Sequence, residues 1–222
     1  MQKSSRKGIW VLLKLALKLE WRNKSGYFNT VLYALGSSYI ASLVFSAQVG
    51  LQVWNALMWF LLLFNAITAC SQSFKQEAGV RFSYYYQIIR PSELMLSKLI
   101  FNGIYSAWVS FLQFALLIFF LGLPFEGALF YLMHLLVGAL SLSSVLSMTA
   151  GIASRTGNNT ALMSVLSFPL LIPALVLGLK GSLLAALDVP LFQSTTFLFA
   201  NLALSALVFA LGYLLFPYLW SD

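Results

Sequence analysis

Apolar residues run along most of this chain in six blocks, near 27–45, 53–73, 99–121, 128–153, 161–178 and 194–219, separated by shorter polar or turn-forming stretches. Blocks of this size match the roughly 20 apolar residues a helix needs to cross a hydrocarbon core of about 30 Å. The pattern predicts an all-α polytopic membrane protein with six transmembrane helices. The breaks between blocks have turn chemistry: GLPFEG at 122–127, SRTGNN at 154–159, and a Gly/Pro-bearing stretch from Leu179 to Gln193.

Composition supports that reading and removes others. Of 222 residues, 60% are apolar and 9% are charged, against about 45–50% and about 25% in globular domains. Six spans fill the chain and leave no room for a sizeable soluble domain, so residues 1–222 read as one transmembrane domain. The single cysteine, Cys70, excludes an intrachain disulfide and reads as a small buried apolar residue. The opening MQKSSRKGIWVLLKLALKLEWRNK resembles a signal peptide only superficially. Lys14 and Lys18 interrupt its apolar stretch and no A-x-A-like cleavage site follows, so the segment is expected to be retained.

The net charge of +7 is distributed by topology. Basic residues sit beside apolar runs and form no separate basic domain, which argues against nucleic acid as a partner. The first 26 residues hold seven Lys/Arg, the 74–98 loop four and the 154–160 loop one, whereas the opposite loops hold only Lys180. By the positive-inside rule both termini are expected on the cytoplasmic side. Lys3, Lys7, Lys14, Lys18 and Arg22 form one basic stripe opposite Trp10, Leu13 and Leu17. That pattern predicts a helix over 1–26 lying in the surface of the bilayer.

Within the expected spans there is essentially no Asp, Glu, Lys or Arg. Ion-coupled transport generally needs such groups or broken-helix ion sites at the midplane, and hydrolysis needs a convergent nucleophile, base and orienting group. No catalytic, cofactor-binding or metal site is therefore expected. His134, the only histidine, reads as a hydrogen-bonded packing residue, with axial ligation of haem as the alternative. Asn65, Thr68 and Gln72 line one face of the second span, and Asn102, Ser106, Ser110 and Gln113 one face of the third. Ala139, Ser143, Ser147 and Gly151 repeat every fourth residue, a smooth ridge suited to close helix packing. Packing is favoured over a substrate path for these stripes. Pro169 and Pro173 lie one turn apart in SFPLLIP, where they form a candidate hinge or a static bend.

The charged segment FKQEAGVRFSYYYQIIRPSELMLSK, residues 74–98, contains six of the chain's nineteen charged residues. No G-x-x-x-x-G-K-[ST] phosphate loop occurs, so ATP-driven work would need a partner subunit and the chain is expected not to be an enzyme. Lys75, Glu77, Arg81, Arg90 and Glu93 then offer both signs of charge to such a partner. Tyr84, Tyr85 and Tyr86 are either part of that surface or anchors in the headgroup region. Pro91 predicts a helix break, with a short helix before it and a new one capped by Ser92.

LALKLEWRNK at 15–24, SFKQEAG and YYYQIIRPSELMLSK in the loop, and SRTGNNTALMSVLSFPLLIP at 154–173 appear in an order and spacing that resemble the CcmB-type haem exporter protein B family. This family supplies the membrane subunit of the ABC system of cytochrome c maturation. The resemblance implies a type-two ABC exporter permease fold in the bacterial inner membrane, and a separate ATP-binding subunit at the cytoplasmic face. It also implies haem-handling membrane proteins, a periplasmic haem chaperone, a second copy of the chain, and a coupling role for Lys75 to Glu93. A passive assembly scaffold and an ABC permease for an unrelated lipid or drug are the competing readings.

Overall fold

Helices α1 (Lys24–Val44), α2 (Leu51–Lys75), α3 (Pro91–Leu121), α4 (Ala128–Arg155), α5 (Thr160–Ala186) and α6 (Leu191–Leu215) form the bundle. The computed structural model describes residues 24–45, 49–75, 91–155, 160–187 and 191–215, and no strand occurs among them. Among the described residues, five helices are long and apolar enough to cross a membrane: Leu51–Cys70, Ser92–Leu121, Ala128–Ala153, Val165–Ala186 and Phe192–Leu215. The apolar part of α1, Phe28–Val44, is shorter. The interfacial helix expected over 1–26 falls, up to residue 23, outside the described residues.

Two boundaries differ from the sequence reading for identifiable reasons. Ser92 is not a cap: the helix begins at Pro91, whose fixed φ and missing N–H suit the first helical position, and it continues without interruption into the third span. The break expected at Leu179–Gln193 is also shorter, because α5 continues to Ala186 and carries Lys180 on its exposed side. Gly181 suggested a turn there. In the fold it serves close packing, since a Cβ on it would lie 2.9 Å from both His134 Cδ2 and Phe197 Cβ.

α4 occupies the centre and packs against α2, α3, α5 and α6, while α1 lies mainly on α3. Every residue from Ser141 to Gly151 is buried. A helix this rich in hydroxyls tolerates burial because several bond back to its own carbonyls. Ser143 and Ser144 donate to Leu140 O at 3.0 and 2.6 Å, and Thr149 donates to Val145 O at 3.0 Å. The outer face is apolar, with Phe119, Leu129 and Phe192 each more than three-quarters exposed. Such a surface suits lipid rather than water.

The turn GLPFEG lies where the sequence places it. Gly122 adopts φ 74°, a left-handed conformation natural to glycine after a helix end, and its N–H donates to Ile118 O at 2.9 Å.

Candidate functional site

The charged end of the bundle is where α2 stops and α3 starts. Lys75 is the last residue of α2, and Glu93 occupies the first turn of α3, where a carboxylate complements the positive end of the helix dipole. Glu77, Arg81, Tyr84, Tyr85, Tyr86 and Arg90 lie outside the described residues. At 31 residues, α3 is about 46 Å long at roughly 1.5 Å per residue, well beyond the hydrocarbon thickness. One continuous rod therefore joins Glu93 to the opposite end at Leu121.

Polar rungs fasten that rod to its neighbours. Asn102 Nδ2 donates to Ser147 Oγ at 2.8 Å, and Ser106 Oγ donates to Ala139 O at 3.3 Å. The ridge Ala139, Ser143, Ser147 and Gly151 is buried. Its serines also meet α2 through Cys70, whose Sγ lies 3.8 Å from Ser143 O and 3.6 Å from Ser147 Oγ. Further along, Asn65 Nδ2 donates to Gln113 Oε1 at 3.3 Å and Gln113 Nε2 donates to Ser38 Oγ at 2.7 Å, linking α2, α3 and α1. Thr30 and Tyr105 share a 2.6 Å hydrogen bond that fixes the other half of α1. Thr68 and Ser110 instead bond to carbonyls of their own helices, Phe64 O and Ala107 O. The Gln72 side chain lies outside what is described.

At the opposite end a clamp joins α2, α4 and α5. Asn55 donates through Nδ2 to Leu179 O at 3.0 Å, while its Oδ1 accepts from Tyr131 Oη at 2.6 Å and from Ser182 Oγ at 2.8 Å. Ser182 Oγ in turn accepts from Trp59 Nε1 at 2.8 Å. Every polar atom of the Asn55 amide that faces the core thus meets a complementary group, the condition for burying it without a large desolvation cost. Trp59 fits only because Gly138 and Gly178 flank it: a Cβ at either would overlap its Cη2. Above this layer, Trp54 donates from Nε1 to Gly122 O at 3.1 Å and packs edge-on to Phe114, Phe125 and Tyr131. None of Asn55, Trp54, Trp59, Tyr131 and Ser182 stood out in the sequence. The available signal was two tryptophans in one apolar block with glycines inside two others.

His134 belongs to an adjoining layer between α4, α5 and α6. Its Nδ1 is 3.0 Å from Phe130 O, and its Nε2 is 3.0 Å from Ser194 Oγ and 3.1 Å from Ser194 O. Both ring nitrogens face protein oxygens, so an iron ligand would first have to leave Ser194. Among the described residues no three His, Cys, Asp or Glu side chains come together as a metal site would require. Pro169 and Pro173 lie inside α5, which continues through both, and both are exposed on the outside of the bundle.

The arrangement places charge at one end of a long helix, polar rungs along it, and a tight clamp at the other end. Comparison with curated proteins gives no match. The family model described as CcmB protein matches residues 7–213, which is nearly the whole chain and agrees with the resemblance carried by the loop and 154–173 motifs. The chain is a multi-pass membrane protein that belongs to the CcmB family, the membrane component of the haem-exporter ABC system of cytochrome c maturation.

Proposed function

We propose that this chain is the non-enzymatic permease subunit that receives force from a separate ATP-binding subunit and turns it into helix movement during haem delivery. The observation that carries this reading is the continuity of α3. A charged segment that enters directly into a 31-residue helix can pass a push at Glu93 to the rungs at Asn102 and Gln113 without a hinge between. The clamp around Asn55 and Trp59 keeps α2, α4 and α5 together at the far end, so movement at the charged end becomes tilting rather than unravelling. The output is transport, or release of a haem-loaded chaperone from a neighbouring subunit.

In this reading the fold is that of a type-two ABC exporter permease in the inner membrane. Helix α1 is the first of six spans, and residues 1–26 and 74–98 face the cytoplasm with both termini. ATP acts only through the partner. A second copy completes the complex, and α5 supports this. Pro169 and Pro173 cannot donate to the carbonyls of Val165 and Pro169, and these exposed positions are better covered by protein than by lipid.

The test replaces Glu77 and Arg81 together with alanine. Joint loss of the co-purifying ATPase and of c-type cytochromes supports the reading. Retention of both contradicts it, and full cytochrome maturation with a hydrolysis-dead ATPase would point instead to a passive scaffold.

A further inference from the structure

Two buried side-chain polar atoms among the described residues have no hydrogen-bond partner, Ser141 Oγ and Asn201 Oδ1. Their residues are 0% and 2% exposed. In an apolar seam such groups carry the full cost of desolvation unless something bonds them.

Helix periodicity places them on one level. His134 and Ser194 are in contact, joining α4 to α6, and Ser194 Oγ also donates to Gly181 O of α5 at 3.3 Å. Helices α4 and α6 run the same way, and seven residues are nearly two full turns. One such step inward from His134 reaches Ser141, and the same step from Ser194 reaches Asn201. On the antiparallel α5, seven residues back from Gly181 is Ala174, which is 0% exposed. A further step on each helix reaches Met148, Val208 and Ser167, all buried. The seam is thus a stack of three layers. Its outer layer is hydrogen-bonded, and its middle layer offers a hydroxyl and an amide oxygen with only a methyl group at the third corner.

We infer that Ser141 and Asn201 hold one ordered water molecule between α4 and α6. The Ser141 hydroxyl donates to the water, and the water donates to Asn201 Oδ1. The Ala174 side chain at the third corner is a single methyl group, and two or more polar partners are what a buried water requires. The water makes the middle layer a hydrated joint between helices whose outer layer is bonded directly. The assignment does not depend on the coupling role proposed above.

The test is a double-mutant cycle in the full chain, within its complex in nanodiscs, read by thermal unfolding. With the water in place, Ser141→Ala and Asn201→Leu each strand a buried group and lower the transition by about 2–6 °C. The double substitution removes both groups and recovers most of the loss. Without a bridging water, each single substitution relieves an unpaired polar atom, so the transition stays or rises; that sign, or strictly additive losses, overturns the inference. A high-resolution density map of the wild-type complex decides independently, should Asn201→Leu fail to fold. A peak within hydrogen-bond distance of both atoms supports the water, and a direct Ser141–Asn201 bond with no peak between them overturns it.

Discussion

Trp59 Nε1 donates to Ser182 Oγ across 2.8 Å, joining α2 to α5 through residues 123 positions apart. The bond exists because the indole lies against two glycines, and that contact makes the clamp sensitive to a single methyl group. Gly138→Ala or Gly178→Ala forces Trp59 aside and is expected to cost about 1–3 kcal/mol. At about 2–4 °C per kcal/mol, thermal unfolding of the purified chain will register it. Adding Trp59→Phe to the Gly138→Ala background should return part of the loss, because the smaller ring leaves room for the new methyl.

Asn55 accepts two hydroxyls and donates to a backbone carbonyl, so its removal strands three groups at once. Asn55→Leu is expected to destabilise by about 2–4 kcal/mol, and Tyr131→Phe, which removes one donor, by about 1 kcal/mol. Unfolding of the two variants and their double combination measures the coupling. Substantial non-additivity is expected because both act through one network.

His134→Ala is expected to lower the unfolding temperature by releasing Ser194 and opening a cavity beside Gly181. With both ring nitrogens facing protein oxygens, the same variant is expected to leave the haem absorption spectrum of the assembled complex unchanged. A lost or shifted haem band would assign His134 to ligation.

If α3 transmits movement as a rod, breaking it between Glu93 and Asn102 should uncouple the ends. Leu96→Pro costs about 3 kcal/mol in helix continuity. It is expected to reduce c-type cytochromes strongly while the ATPase still co-purifies. Leu96→Gly, at about 1 kcal/mol, should fall between it and the wild type. Immunoblots for the complex and haem staining for cytochromes separate the two effects.

These residues also mark what could be read from the chain alone. The five long apolar helices, the turn at Gly122 and the helix start near Pro91 follow from local signals: apolar block length, a glycine at a helix end and a proline at a helix N-terminus. The far end of α5 was hidden because Gly181 carries the same local signal whether it makes a turn or admits His134, and only the neighbouring helices distinguish the two. The Asn65, Asn102 and Gln113 stripes were visible as periodic polar positions, whereas their partners depended on how the helices are arranged. The Asn55–Trp59–Tyr131–Ser182 clamp left only the Asn55–Trp59 pair four residues apart, since Tyr131 stands alone in another block and Ser182 falls in the stretch that read as a break.

The most direct measurement of the central claim is site-specific photo-crosslinking from the loop in the intact complex, with a photoreactive residue replacing Glu77 or Glu93. The expected result is an adduct with the ATP-binding subunit whose yield changes between nucleotide-free and ATP-bound states. Adducts formed only with partners on the opposite face of the membrane, or none with the ATPase in either state, would contradict force entering through this segment.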